Sequence, residues 1–72
     1  MGNNGQKYRY GNLIVEVRRI GTITPEKSRF SCIVRGYGHG NTAPRETFVV
    51  EAESTAQASR NALQKYTAKY GK

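Results

Sequence analysis

The sequence predicts an α+β fold in which a three-stranded antiparallel sheet packs on one C-terminal helix. Three short segments alternate apolar with polar side chains, as strands with one buried face do. The last part of the chain has helical spacing of its apolar residues between a capping signal and a glycine. Successive strands with short connections favour antiparallel pairing, so the predicted element order is β-β-β-α.

The three alternating segments define the predicted strands. The first covers about Asn12–Ile20, the second about Arg29–Tyr37 and the third about Glu46–Ala52. One side of each strand is apolar and is expected to face the helix, whereas the other side carries arginine, tyrosine and some aliphatic residues. Glycine and proline predict connections over residues 21–28 and 36–45.

The helix is predicted over Thr55–Tyr70, a stretch with frequent alanine and with neither glycine nor proline. Ser54 and Gln57 have the spacing of a capping box, and Gly71 is a suitable C-terminal stop. One stripe is expected to face the sheet, and its members are Ala56, Ser59, Leu63, Tyr66 and Tyr70, flanked by Ala62. Because the stripe begins with small residues, the helix can approach the sheet closely.

The N-terminal residues are predicted to lie outside the folded domain. Residues 1–9 are expected to form a disordered basic arm, and residues 10–72 a single small domain. Residues 7–10 alternate a charged residue with tyrosine, so they either open the first strand or remain part of the mobile arm.

Composition points to an anionic partner. Twelve Lys and Arg against five acidic residues give a net charge of +7 and a pI near 10.0, which favours nucleic acid or an anionic surface. Cys32 is the only cysteine, so neither an internal disulfide nor a cysteine zinc site is available, and its apolar neighbours predict a buried thiol. No apolar run reaches the ~20 residues of a membrane span. We therefore expect a cytoplasmic protein with no membrane partner.

The sequence predicts a protein that is not an enzyme and that has no cofactor, metal or small-molecule substrate. His39 is the only histidine and there is no aspartate, so no catalytic triad or metal spacing is present. The glycine-rich segment around His39 either approaches a phosphate through its amides or is a mobile connection. Glu16 and Glu51 alternate onto the polar side of the sheet, where pairing with Arg18 or Arg35 is expected.

The polar side of the sheet is the candidate binding surface. Arginine binds guanine or phosphate, and tyrosine stacks on bases. The predicted nucleic-acid-binding residues are Arg18, Arg29, Arg35, Tyr37, Arg45, Tyr10, Lys7 and Arg9, with Tyr8 beside them. Ile14, Ile33 and Val49 add apolar surface, which often marks an interaction site. The predicted function is therefore the binding of nucleic acid, with double-stranded DNA favoured.

Two other interpretations compete with this one. The chain can be a protein-interaction module, either a homodimer or a binder of a host factor, with the aliphatic residues at the centre of its interface. The surface can also be an ordinary solvated face, because any antiparallel sheet covered on one side alternates apolar and polar residues.

The order of three strands and a helix resembles the DNA-binding domain shared by plant ethylene-response-factor proteins and the N-terminal, arm-site-binding domains of tyrosine recombinases. The resemblance is carried by the segments LIVEVRR, RFSCIVRGYG and FVVEAESTAQASRNAL. In the last of these, a strand turns into an alanine-rich helix through a Ser-Thr cap. The similarity covers about residues 10–70 and is one of pattern, since the chain has no tryptophan, which is prominent in the plant domains.

That resemblance implies that the exposed face of the sheet enters the major groove, with Arg18, Arg35, Tyr37 and Arg45 against DNA. A free-standing domain of this kind would be an accessory factor of a phage or mobile element, or a regulator. The strand order is also similar to the later part of a double-stranded RNA-binding domain. That family needs a first helix and a lysine-rich start to the last helix, and this chain offers neither. DNA is therefore favoured over RNA.

Overall fold

The computed structural model describes residues 5–40 and 42–70, which form a four-stranded antiparallel sheet and one C-terminal helix. In chain order the elements are β1 (Gly5–Tyr10), β2 (Leu13–Thr24), β3 (Lys27–Gly36), β4 (Glu46–Ala52) and α1 (Thr55–Tyr70). The strands lie side by side in the order β1-β2-β3-β4. The antiparallel α+β fold with a C-terminal helix is confirmed, whereas the prediction of three strands is wrong.

The additional strand is β1, which pairs with β2 in unbroken register along its whole length. Residues 5–9, which we predicted to belong to a disordered arm, are therefore part of the sheet, and so is Tyr10. The prediction of disorder for residues 1–4 lies outside the described residues. A two-residue turn, Gly11-Asn12, joins β1 to β2, and Gly11 has a φ of 63°, which glycine adopts far more readily than other residues.

The hairpin between β2 and β3 is longer than predicted. Both strands continue into the region that we expected to be a loop, and only residues 25 and 26 form the turn. Two irregularities in the β2–β3 register, between Arg19 and Gly21 and between Thr22 and Thr24, absorb one extra residue each as bulges. The β-branched residues of this segment favour strand despite its glycine.

The helix covers one face of the sheet, and the apolar core lies between them. Its buried members are Val15, Val17, Phe30, Cys32, Val34, Val50, Ala52, Ala58, Ala62 and Tyr66. The buried stripe of the helix consists of Ala58, Ser59, Ala62 and Tyr66. It is rotated slightly from the predicted one, and Tyr70 is exposed because its hydroxyl reaches outward to donate to Glu46.

The start of the helix has the predicted capping box. The backbone amide of Gln57 donates to Ser54 Oγ at 3.1 Å, and the Gln57 side chain accepts from the amide of Glu53 at 2.8 Å. These contacts satisfy amides that have no partner inside the helix. The predicted stop at Gly71 lies outside the described residues.

Cys32 is fully buried, as predicted. Its thiol donates to the carbonyl of Ala58 at 3.7 Å, and burial raises the pKa of the thiol to about 11 from its ordinary value of 9.0. The thiol therefore stays protonated at neutral pH and acts as a small core side chain. Within the described residues, no helix has both the length and the apolar character needed to cross a membrane.

Candidate nucleic-acid interface

The side of the sheet that faces away from α1 is called the outer face here. Strand alternation and the cross-strand register place its side chains in rows that run across the sheet. The rows are Arg9, Ile14 and Arg35; Lys7, Glu16, Ile33 and Thr47; Gly5, Arg18, Ser31 and Val49; Gly21, Arg29 and Glu51; and Thr24 and Lys27. The sheet therefore brings five of the eight predicted binding residues onto one surface.

The outer face is positively charged. It carries the cations Lys7, Arg9, Arg18, Lys27, Arg29 and Arg35 and the acids Glu16 and Glu51, which is a net charge of +4. Six of the twelve Lys and Arg residues of the chain thus lie on this one surface. Such a concentration of one sign produces a positive potential that attracts polyanions.

Arg18 lies in the middle of β2, flanked by Gly5 on β1 and by Ser31 on β3. Its side chain is exposed and makes no hydrogen bond or ion pair within the part of the chain that the structure describes. Because Gly5 has no side chain, the flank of Arg18 is open, and a shallow depression of about 560 Å³ lies beside it. The guanidinium is therefore available to a ligand.

Arg35 is held by Glu16 across the two central strands. Its Nε and Nη2 atoms donate to Glu16 Oε2 at 2.9 and 2.6 Å. Both side chains keep about a third of their surface exposed, at 38% and 32%. This ion pair was one of those expected from the alternation of the sequence, and at such exposure it contributes at most about 1 kcal/mol to stability.

Arg29 forms the second ion pair of the outer face, with Glu51 on β4. The distance from Arg29 Nη2 to Glu51 Oε2 is 3.5 Å, and both side chains are about half exposed. We expected Glu51 to pair with Arg18 or Arg35. The structure differs because the register between β3 and β4 sets Arg29 directly opposite Glu51.

Arg9 and Tyr37 form a cation–π pair at the end of the sheet where β1 joins β2. The Arg9 guanidinium lies 4.5 Å from the centroid of the Tyr37 ring, and its Nε donates to the carbonyl of Gly11 at 3.1 Å. Tyr37 follows β3, and its backbone amide donates to the carbonyl of Asn12 at 2.9 Å. The ring remains 45% exposed, so part of it is accessible for stacking.

Tyr10 and Tyr8 lie on the opposite side of the sheet from the one that we predicted. Both rings pack against the apolar core, and their hydroxyls bond to the helix, Tyr8 to Thr55 Oγ1 at 2.6 Å and Tyr10 to Ser59 Oγ at 2.5 Å. The β1 register explains the difference, because it sets Tyr8 opposite buried Val15. Tyr10 is therefore not part of the outer face.

Arg45 lies outside the sheet, one residue before β4. Its side chain is exposed, and within the described residues it forms no ion pair. The preceding connection contains Gly38 and Gly40 with φ of 107° and 74°. Glycine adopts positive φ values far more readily than other residues, which explains why glycine occupies these two positions. His39 is exposed between them.

The aliphatic residues of the outer face are less exposed than predicted. Ile14 and Ile33, on the central strands, are half-buried among longer charged side chains. Val49, on β4 at the edge of the sheet, is 57% exposed. The apolar surface of this face is therefore concentrated at one edge.

The sequence predicts the binding residues Lys7 and Arg9 but not that β1, which carries them, is a strand of the sheet. The Gly-Asn pair that separates Lys-Tyr-Arg-Tyr from the next apolar segment is a hairpin signal that identifies β1.

Among the described residues, no three His, Cys, Asp or Glu side chains are grouped so that they could hold a metal ion. Comparison with protein-family models, with curated proteins and with solved structures found no match to this chain.

Proposed function

We propose that this protein binds double-stranded DNA through the outer face of its sheet. The observation that carries the proposal is the net charge of +4 on a surface that the helix leaves uncovered. Phosphate contacts by Lys and Arg supply most of the affinity of such proteins for nucleic acid. The flat shape of the molecule, about 15 Å in its shortest dimension, exposes that face fully.

The dimensions of the sheet suggest how it would meet a duplex. Four strands spaced ~4.8 Å apart separate the axes of the two edge strands by about 14 Å. The major groove of DNA is about 12 Å wide and admits a two-stranded ribbon. The long central strands β2 and β3 would therefore enter the groove, and the edge strands would lie over its walls.

The outer-face cations then have two distinct roles. Arg18, Arg29 and Arg35 project from the central strands and would reach base edges or the phosphates at the rim of the groove. Lys7 and Arg9 project from β1 and would contact the flanking phosphate backbone. Arg18 needs no rearrangement. Arg29 and Arg35 would exchange their exposed carboxylate partners for phosphate, at a cost of less than about 1 kcal/mol each.

A duplex of DNA is favoured over RNA by the same geometry, because the major groove of A-form RNA is deep and too narrow for side chains to read. The sequence resemblance to the recombinase and ethylene-response-factor domains, which rests on the order of β2, β3, β4 and α1, also supports the proposal, and β1 is an additional strand at one edge. On this proposal, the protein acts as an accessory DNA-binding factor of a phage or mobile element.

The first test is titration of the protein into a labelled DNA duplex at several salt concentrations. Replacement of Arg18 by alanine is expected to weaken binding about fivefold and to lower the slope of log K against log salt by about 0.9, because one phosphate contact is lost. Fluorescence anisotropy measures both quantities. Backbone amide shifts on β2 and β3 should report the contact surface.

Arg60→Ala is the matched control for Arg18→Ala. Arg60 is an exposed residue of α1, on the other side of the molecule, and like Arg18 it forms no ion pair within the described residues. If the two variants lose affinity equally, binding depends on net charge alone and the outer face is not the site. The same duplex made of RNA is expected to bind more weakly.

Replacement of Glu16 by glutamine is expected to strengthen DNA binding. The change removes a negative charge from the outer face and releases the Arg35 guanidinium from its carboxylate. Affinity at low salt should rise about threefold to tenfold, and the salt slope should become steeper. Anisotropy titration measures this gain.

Glu53→Gln provides the comparison for Glu16→Gln, since it removes an exposed carboxylate that lies at the start of the helix instead of on the outer face. We expect a much smaller gain from it. If Glu16→Gln bound DNA more weakly while its circular dichroism spectrum showed an intact fold, the ion pair itself would help to form the DNA-binding surface.

A protein-interaction module is the second candidate function. The observation that favours it is the exposure of Val49 at the edge of the sheet, where an apolar side chain is uncovered. Absence of DNA binding even at low salt would support this function in place of the first.

A further inference from the structure

The sheet has three stretches of free edge, which can be compared in their ability to pair with a strand of another chain. The first is the outer edge of β1, the second is the part of β2 that extends beyond β1, and the third is the outer edge of β4. Among the described residues, no strand lies beside any of them. Proteins usually protect such edges with charged residues, bulges, proline or a covering loop.

Two of the three edges carry such protection. The edge of β1 bears Lys7 and Arg9, whose charges oppose pairing with a like strand. The free part of β2, over residues 19–24, contains both bulges of the sheet, and their extra residues Ile20 and Ile23 interrupt the regular ladder. Neither edge is suited to pair with another chain.

The edge of β4 has fewer of these devices, because its two charged residues, Glu46 and Glu51, lie toward its ends and residues 47–50 between them are uncharged. Its seven residues, ETFVVEA, contain no glycine, proline, lysine or arginine, and its register with β3 is unbroken. Valine, threonine and phenylalanine give it a strong preference for strand. Within the described residues, the backbone hydrogen bonds outside the regular elements do not involve this strand. A regular and apolar edge of this kind is a template for another strand.

We propose that β4 pairs in antiparallel orientation with β4 of a second copy of the chain, forming an eight-stranded sheet. Full-length pairing of Glu46–Ala52 with itself centres on Val49, so that the two Val49 side chains face each other across the symmetry axis. This contact covers the apolar side chain that is most exposed on the outer face.

The charges of β4 are compatible with this pairing. Centred on Val49, the register sets Glu51 opposite Thr47 of the second copy and Glu46 opposite Ala52, so that no like charges are directly opposed. Both carboxylates already have partners in the same chain. Glu51 pairs with Arg29, and hydrogen bonds from Lys69 and Tyr70 lower the pKa of Glu46.

The helix offers a second contact beside the strand. A groove of about 540 Å³ runs along the edge between β4 and α1, lined by Val49, Val50, Glu51, Asn61, Gln64, Lys65 and Ala68. The two-fold axis would place this groove next to its equivalent on the second copy. Small and uncharged residues such as Ala68 and Asn61 allow the two helices to approach there.

The paired sheet has two consequences. Within the described part of the chain, the free edges that remain are those of β1 and β2, both of which are protected, so that association stops at two copies. The symmetry axis is perpendicular to the sheet, so both outer faces lie on the same side. If the proposed DNA binding holds, the dimer presents a continuous basic surface with two-fold symmetry, suited to a palindromic duplex.

Sedimentation velocity in the absence of DNA tests the dimer independently of DNA binding. We expect a species of twice the 8.0 kDa chain mass at micromolar concentration. Val49→Lys, which opposes two like charges at the symmetry axis, should raise the dimer dissociation constant at least tenfold. Ile33→Lys, on a central strand of the same face, should leave it unchanged.

A protein that is still monomeric at about 100 µM, and whose dimer dissociation constant is therefore above that concentration, would overturn the proposal. The proposal would also be overturned if Ile33→Lys lost the dimer and Val49→Lys retained it, because that result would place the interface at the centre of the outer face. A covalent dimer of Val49→Cys under mild oxidation, absent for Ile23→Cys, would place the contact at β4. A dimer that does not bind DNA would refute the proposed function and leave this inference intact.

Discussion

Replacing Arg18, Arg29 and Arg35 together by alanine is expected to weaken binding of a DNA duplex roughly 100-fold at low salt, at about 1 kcal/mol for each cation. The three side chains project from the two central strands onto the uncovered face of the sheet. Without them the face keeps the cations Lys7, Arg9 and Lys27, and its net charge falls from +4 to +1. The salt slope should decrease by about 2.7, which is 0.9 for each phosphate contact. Anisotropy titration over a range of salt measures both effects.

A second triple variant is the control for this one. Arg60, Lys65 and Lys69 are exposed on the helix, and their replacement by alanine removes the same number of charges from the other side of the molecule. Two members of the first set, Arg29 and Arg35, have a carboxylate partner, and one member of the second set does, Lys69 with Glu46. We expect less than a fivefold loss for the helix variant. Equal losses in the two sets would rule out the outer face as the DNA-binding site.

Replacing Tyr10 by alanine is expected to destabilise the protein by about 2–4 kcal/mol, because the ring packs against the core. Ser59, which is fully buried, donates its hydroxyl proton to the carbonyl of Ala56 at 2.7 Å. The Tyr10 hydroxyl is therefore the donor in its bond to Ser59. A domain of this size has a total stability of roughly 4–11 kcal/mol. The loss is thus a large part of the whole, and chemical denaturation measures it.

Tyr10→Phe separates the structural role of this residue from a role in DNA binding. It keeps the ring in the core and removes only the hydrogen bond, so the expected cost is about 1 kcal/mol. DNA affinity should be unchanged, since Tyr10 lies on the side of the sheet that the helix covers. Weaker DNA binding by a fully folded Tyr10→Phe would contradict that placement and support the direct contact predicted from the sequence.

The position of β1 shows where local sequence patterns were sufficient and where they were not. The Gly11-Asn12 turn and the alternation of Lys7 and Arg9 with the two tyrosines were visible in the sequence. The choice between a strand and a mobile arm depended on the unpaired edge of β2 beside it, and on hydroxyl partners that only the helix provides, Thr55 and Ser59. Those partners are 47 and 49 residues away along the chain.

The ion pairs of the outer face show the same limit. Alternation correctly placed Glu16, Glu51 and the arginines of β2 and β3 on one side of the sheet. It did not determine which arginine meets which glutamate, because that depends on the register between strands. Among the described residues, the register leaves the outer-face arginine Arg18 without an ion-pair partner and pairs Arg29 with Glu51.

The sequence by itself determined the fold class, the bounds of β4 and α1, the capping box, the buried Cys32 and the side of the central strands that carries the arginines. Each of these depends on local periodicity or on side chains within a few residues of one another. Only the tertiary structure decided the fourth strand, the side on which Tyr8 and Tyr10 lie, the partners of the ion pairs and the less protected edge of β4. Each of these depends on pairing between distant segments, whose free energy comes from long-range packing and register instead of from local preference.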